Sequence, residues 1–400
     1  MAKKNLMYEI WVPSWESISD IERHLRRVAN LGVNYVWLSG LLMSPGYDHG
    51  YDVSDYKAVN PKYGTMADFD ILIKTAHNLG LKVLIDLVLN HTSTEHEWFS
   101  KNLGLYCWRY DDLPYWQSLF GGPAWKYDAE NNMYYLHLFH EKQADLNWFP
   151  DGKINSTLVL EFKKIVEFWT KDHQVDGFRL DVPQAINKDF NDSILDLPNL
   201  IEGSQDRAIE VINSIFPRQY SRHLVLAMEC LDPTRGKIVN TYASSTRVDF
   251  IMNILLKNSI LEGINKFKTR LGSTALNSKK LMVDLESHDS PRFSGSYFSP
   301  IWGLGQMFSA PVDNVCLYQG QELGLKNPTK HQLTDEKMLL LDAETATRFK
   351  NGEKLDDLRP GSRANARMPF SIYLPEYDRQ ENDPRSCFNE LKEVIKKWKK

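Results

Sequence analysis

Short apolar runs of strand length alternate along the chain with stretches in which apolar residues recur every three or four positions. "LMYEIWVP" leads into "SISDIERHLRRVANLG", where Ile18, Ile21, Leu25 and Val28 share one helical face and Gly32 supplies the stop. "NYVWLSG" follows, then the helical pattern "MADFDILIKTAHNLG", then "KVLIDLVLN". That order predicts parallel strands joined by crossover helices. The alternation resumes at "EFKKIVEFWTKDH" and continues through "VDGFRLDV", "RHLVLAME", "VDFIMN", "KLMVDLES" and "NVCLYQG". Eight candidate strands result, beginning near Tyr8, Tyr35, Val83, Gly177, Leu224, Val248, Leu281 and Asn314. Eight such units in 400 residues predict an α/β fold, a (β/α)8 TIM barrel with insertions. A doubly wound open sheet is the competing architecture. No G-x-G-x-x-G follows the first strand, so its dinucleotide-binding form loses support.

One interval breaks the rhythm. More than sixty residues rich in Trp, Tyr, Gly and Asp separate His91 from the helix near Leu158. A structureless loop of that size is uncommon in a compact domain. Residues 92–155 are therefore expected to form a subdomain inserted after the third strand and walling one side of a cleft. The barrel is then divided into 1–91 and 156–400, with "FNELKEVIKKWKK" as its eighth helix.

Composition narrows the function classes. A net charge of −4 without a basic stripe argues against nucleic acid as a partner. No apolar run reaches the length of a membrane span, and the start "MAKKNLMYEIWVP" lacks a signal peptide's apolar core, which predicts a cytoplasmic protein. The lysines of "LKEVIKKWKK" suit a helix C-terminus better than a membrane patch. Cys107, Cys230, Cys316 and Cys387 are scattered, without metal-ligand spacing, and are expected to be free thiols. The many aromatics, Trp 11, Tyr 18 and Phe 18, fit ordinary core packing before they fit a sugar-stacking surface.

Chemistry enters at the strand ends. "VDGFRLDV" sets Arg179 and Asp181 on one side of a strand, and burying two charges is costly unless they are paired or used. In a (β/α)8 barrel the functional groups lie at the C-terminal ends of the strands. The third strand ends in Asp86 to His91, the fifth in Glu229, and the seventh in Glu286-Ser287-His288-Asp289. A single strand-end acid is often a helix cap and a single histidine a satisfied core group; four such strand ends together argue for a site. A metal site is one reading, but nothing resembles H-E-x-x-H. Glycosidic cleavage is the other, and it needs a carboxylate nucleophile and a carboxylic acid that protonates the leaving oxygen. Arg179 is expected to hold Asp181 as the anion, and the apolar neighbours Leu226 and Met228 to raise the acid Glu229.

These motifs resemble, in order, those of the α-amylase superfamily of retaining glycoside hydrolases, in its oligo-1,6-glucosidase, dextran-glucosidase and α-glucosidase branch. "DLVLNHTSTEHEWF" looks like the first signature, "DGFRLDV" the second, "LAMEC" the third and "ESHDSPR" the fourth, with "QADLNW" and "YQGQELGL" between or after them. The resemblance implies that Asp181 is the nucleophile, Glu229 the acid/base, and Asp289 the acid that grips and strains the glucose ring. It implies that His91 and His288 donate to the same sugar and that Tyr51 and Asp52 close the pocket. Arg363 or Arg367 of "GSRANARMPF" would supply a further arginine to that pocket. Valine after the nucleophile, here Val182, goes in that branch with α-1,6 preference. The implied activity is hydrolysis of short α-glucosides with retention and without a cofactor. Transfer by the same residues is the first alternative, as in a sucrose isomerase, trehalose synthase or sucrose phosphorylase. A catalytically impaired binding protein is the second.

Several positions depart from the pattern. The acidic calcium loop after the first strand is missing, so no metal is expected there. Ser287 and Ala144 stand for asparagine and proline, Met228 for the branch's glycine, and Ala364 for an aspartate. The sequence stops at the expected eighth helix, without the family's C-terminal β-domain, and three readings stay open: reduced stability, a fragment, or a second copy or partner covering that face.

Overall fold

The computed structural model describes residues 4–111, 116–188, 205–216, 224–232, 236–272, 279–290, 292, 299–326, 366–367 and 369–400. Eight parallel strands close into a barrel: β1 Asn5–Trp11, β2 Tyr35–Ser39, β3 Lys82–Val88, β4 Gly177–Asp181, β5 Val225–Cys230, β6 Phe250–Asn253, β7 Leu281–Val283 and β8 Asn314–Tyr318. Each strand pairs with its chain neighbours, and β8 returns to β1 with Asn314 opposite Asn5. This is the TIM barrel expected from the alternation of apolar runs and amphipathic helices. The sixth strand, expected near Val248, begins at Phe250; just before it Asp249 is bound to Leu226, its side chain accepting from Leu226 N and its amide donating to Leu226 O, each at 2.9 Å.

The helical shell follows from its sequence signals. Ser17 caps α1 (Ile18–Asn30), and Thr65 with Asp68 forms a capping box on α2 (Met66–Asn78). Asn155 caps α3 (Ser156–Glu167), whose Leu158, Phe162 and Ile165 face the barrel. The last helix, α4 (Cys387–Trp398), buries Phe388, Leu391 and Ile395 and brings Trp398 against Phe308.

Inside the barrel, side chains alternate between interior and shell, and the interior row changes character along each strand. Met7, Leu84, Val225, Ala227, Phe250, Met252, Met282 and Cys316 pack together as an apolar floor with Trp37. The next inward positions toward the C-terminal ends are Glu9, Asp86, Arg179, Asp181 and Glu229, all buried. Gly177 makes the close strand pairing beneath them possible: a Cβ there would lie 2.0 Å from Val225 O. The charged layer above this floor forms the mouth.

Between β3 and β4 the chain leaves the barrel. His91–Ser93 pairs antiparallel with Gln143–Asp145, and Trp108–Arg109, Met133–Leu136 and Trp125–Asp128 form a small three-stranded sheet. Cys107, Trp116, Trp125, Leu136 and Leu138 give this excursion its own apolar cluster.

Candidate active site

The acids from three strands meet on one cation. Arg179 Nη1 donates to Asp181 Oδ1 beside it on β4 and to Asp86 Oδ1 on β3 at 3.2 Å, while Nη2 reaches Glu229 Oε2 on β5 at 2.8 Å. The guanidinium also lies 4.8 Å from the Trp37 ring centre. Arg179, expected to hold Asp181 as the anion, does pair with it, but its charge is divided among three buried carboxylates. Burial pushes the Asp181 carboxyl up, Arg179 pulls it down, and Glu229, Asp86 and Asp289 push it up again, leaving it at about 8. Glu229 accepts from Arg179 and also from the amide of Val182 at 3.0 Å, so two donors, and not apolar neighbours alone, set its environment. A cluster of this kind holds a proton among its acids near neutral pH, which acid/base chemistry requires.

The loop after β7 supplies the opposite wall. His288 Nε2 lies 2.9 Å from Asp289 Oδ2, and Nδ1 is hydrogen-bonded to Glu9 Oε1 on β1. The imidazole stacks on Tyr51, with ring centres 5.2 Å apart, and Tyr51 Oη donates to Asp86 Oδ2 at 3.3 Å. Arg367 donates through Nε to His288 O at 2.9 Å and through Nη2 to Asp289 Oδ1 at 2.8 Å. Of the two arginines of "GSRANARMPF", Arg367 therefore sits at the acids; Arg363 lies outside the described residues.

His91 is fully buried and kept neutral, its pKa lowered to about 3 by burial and by the charge of Lys188. Its ring nitrogens lie 3.1 Å from Asn90 Nδ2 and 3.2 Å from Tyr51 O.

Asp52 does not reach the pocket. One of its carboxylate oxygens accepts from Ser44 Oγ at 2.6 Å and Asp48 N at 2.9 Å, and the other from Gly46 N at 3.0 Å and Tyr47 N at 2.9 Å. Four donors of its own loop saturate it. The aspartate that faces the acids is Asp48, four residues earlier, which accepts from Gln143 Nε2 at 3.1 Å. The signal available in sequence was the pair of aspartates in "GYDHGYD"; nothing in the motif says which one turns inward.

Two cavities share Phe139, Val182, Glu229 and Asp289. A pit of about 50 Å³ is lined by Asp48, Tyr51, His91 and Asp181. A wider cleft of about 430 Å³ opens beside it, between Phe120 of the excursion and Lys257 and His288 of the barrel. A larger cleft of about 640 Å³ lies against α1; Arg23 and Arg27 in its lining pair with Asp20 and Asp378, and none of the strand-end acids lines it.

Among the described residues no group of three His, Cys, Asp or Glu stands close enough to hold a metal ion. Where the excursion meets the barrel, the Lys188 ammonium is buried, 2.6 Å from Asn90 Oδ1 and 3.4 Å from Asp145 Oδ2. No helix among the described residues is long and apolar enough to cross a membrane.

Comparison with known proteins accords with this architecture. Residues 15–371 match the family described as "Alpha amylase, catalytic domain". The trehalose-6-phosphate hydrolase of Escherichia coli (strain K12) is 30% identical over 92% of this chain and 74% of that protein. The probable oligo-1,6-glucosidase 3 of Bacillus subtilis (strain 168) is 26% identical over 98% of this chain and 83% of that protein. The crystal structure of Bacillus licheniformis trehalose-6-phosphate hydrolase superposes with a TM-score of 0.78 at 26% identity, covering 99% of this chain and 83% of that one. The isomaltulose synthase from Klebsiella sp. LX3 shares the fold, with a TM-score of 0.83 at 23% identity over 99% of this chain and 83% of that one. With a matching catalytic domain and a closed barrel carrying its acids at the strand ends, the chain belongs to the α-amylase family and is a glycoside hydrolase.

Proposed function

We propose that the protein is a retaining α-glucosidase acting on short α-glucosides, with α-1,6 linkages favoured. Asp181 attacks the anomeric carbon as Glu229 gives a proton to the departing glycosidic oxygen, forming a glucosyl ester on Asp181. Glu229 then takes a proton from water, which attacks the ester and releases glucose with the configuration it started with. Asp289, steadied by Arg367 and beside His288, grips the hydroxyls of the same ring. A substrate entering the pit would draw Glu229 toward its glycosidic oxygen and return more of Arg179 to Asp181. Residues 92–155 act as a subdomain that walls the cleft through Phe120 and Phe139. The α-1,6 preference rests on Val182, and the cytoplasm suits such substrates.

The observation that carries this reading is that one planar guanidinium holds both Asp181 and Glu229. That favours the short separation of a retaining pair, about 5–5.5 Å, over the wider gap of about 6.5–9.5 Å in inverting enzymes, which leaves room for a water. The test is a panel of nitrophenyl α-glucoside, isomaltose, maltose, sucrose, trehalose and trehalose 6-phosphate, with the first-formed anomer followed by proton NMR. Release of α-glucose from isomaltose ahead of maltose is expected, and Asp181→Asn should abolish turnover while sugar still binds. First release of β-glucose, or full turnover by Asp181→Asn, would refute the assignment. Turnover of trehalose 6-phosphate alone would move the substrate to a phosphorylated disaccharide.

A further inference from the structure

We propose that Glu9, buried on β1 behind the site, is a positioning residue that holds His288 doubly protonated, so that its Nε2–H meets a substrate hydroxyl as a charged donor. The consequence for catalysis rests on the glucosidase reading above; the protonation state of His288 does not.

The geometry fixes both protons. Glu9 is 1% exposed, and its Oε1 receives His288 Nδ1 on one side and Ser39 Oγ, at 3.1 Å, on the other. Nδ1 therefore faces a carboxylate and must carry a hydrogen. At the far edge of the ring Nε2 lies 2.9 Å from Asp289 Oδ2. A lone pair there would confront a second carboxylate at contact distance, so Nε2 carries a hydrogen too. That hydrogen finds no aligned acceptor among the described residues, although the nitrogen is buried. In the empty site this N–H has only the Asp289 carboxylate beside it, at the edge of the cavity shared with Asp289 and Glu229, where an entering hydroxyl can accept it.

The ring cannot swing away from this task. Tyr51 stacks on one face at an interplanar angle of 10°, and Trp37 meets the ring edge-on with centres 5.8 Å apart. Charged groups face it from three elements: Glu9 from β1, Asp86 from β3, and Asp289 from the ring's own loop. Arg367 is bound to Asp289 and to His288 O, and Lys257 is bound to Asp284 at 2.9 Å. Burial favours the neutral ring, but Asp289 and Glu9 outweigh it and push the imidazole up to about 9. The result is a second cation beside Arg179 in a cluster whose acids would otherwise repel one another.

Glu9→Gln keeps the shape and an acceptor oxygen but removes the charge. In the wild-type protein, ¹⁵N NMR of labelled histidine should show both His288 nitrogens protonated at pH 7.5; in Glu9→Gln the same ring should have lost a proton. The alkaline limb of kcat/KM for nitrophenyl α-glucoside should move down by about 1–2 pH units. At pH 8 the loss should fall mainly on KM, since the donor serves bound substrate and transition state alike. Ser39→Ala, which removes the other bond to Glu9 and leaves its charge, should move the limb by less than about a third of that. A singly protonated His288 in the wild type overturns the proposal, as does a limb that Glu9→Gln leaves in place or that Ser39→Ala shifts equally. Should Glu9→Gln not fold, the wild-type titration decides alone. A protonated His288 in a protein that turns over no glucoside would uphold this proposal and defeat the functional one.

Discussion

The backbone amide of Val182 donates to Glu229 Oε2 at 3.0 Å, so the residue after one catalytic candidate orients the side chain of the other. Val182 reaches this position with φ 32° and ψ 51°, a left-handed conformation that a β-branched residue rarely adopts. Strain of this kind costs on the order of 1–3 kcal/mol and persists where the surroundings enforce it. Glycine would adopt the same backbone freely, at an entropic cost of roughly 0.5–1 kcal/mol. Val182→Gly should therefore unfold in denaturant at no lower concentration than the wild type, and because glycine keeps the backbone N–H that Glu229 accepts, kcat should hold within a few-fold. A Val182→Gly protein less stable by more than about 2 kcal/mol would mean that packing, and not strain, dominates at this position.

Asp181 should weaken the fold. Its carboxyl is raised to about 8 in the folded chain, against an ordinary value of 3.8. Below the ordinary value it is protonated in both folded and unfolded states and has no effect on the balance. Between about 4 and 8 the unfolded chain releases the proton and the folded chain keeps it, so stability drains away as pH rises, and the loss is complete above the folded value. Asp181→Asn removes this penalty. Arg179 still has Asp86 and Glu229 as partners, so the substitution should raise stability by about 1–2 kcal/mol near pH 8 and by almost nothing near pH 4. Melting temperatures across that range check it; a variant less stable than the wild type at pH 8 contradicts it.

Lys188 sets its ammonium against Asp145 and closes the junction between barrel and excursion. Burial raises the Asp145 carboxyl to about 6, with Lys188 pulling it down. Lys188→Met removes that pull, so the folded value climbs further and the penalty grows as pH rises above the ordinary carboxylate range. The variant should melt closest to the wild type near pH 4 and lose roughly 3–5 kcal/mol by pH 8, the cost of stranding a buried charge. An equal loss at both pH values would assign the lysine a packing role instead.

Why the barrel was legible and its site only partly so has a physical reason. Strands buried on both faces read as continuous apolar runs, and the change from Leu84 to Asp86 or from Ala227 to Glu229 marks where each inward row meets the mouth. Arg179 and Asp181 share a face because they share a strand, which alternation alone supplies. That the same guanidinium also binds Asp86 and Glu229 depends on the register of β4 with β3 and β5, and a single chain pattern holds no register information. Glu9 was missed for the same reason: it sits mid-strand in an apolar run, and only barrel closure brings it to His288. Arg363, expected as an alternative to Arg367, lies outside the described residues.

The loop after β2 offers the sharpest separation between holding a site and forming it. Asp52 binds four donors of its own loop, whereas Asp48 lines the pit beside Asp181. The backbone between them turns through His49 at φ 46° and Gly50 at φ 110°, and a Cβ on Gly50 would lie 2.5 Å from Gly40 Cα, so the turn cannot relax by swapping the two acids. Asp52→Asn turns one accepting oxygen into a donor and strands amides that faced it, for a loss of about 1–3 kcal/mol. Its effect on catalysis should be indirect: KM should rise while kcat holds within a few-fold, because the wall moves but the acids do not. Asp48→Asn should do the reverse, leaving melting temperature within about 2 °C of the wild type while kcat/KM falls by about a hundredfold or more. Thermal unfolding and steady-state kinetics on the two variants, side by side, decide the matter. If Asp52→Asn keeps full stability yet loses activity as steeply as Asp48→Asn, then Asp52 contacts the sugar after all and the loop must rearrange on binding.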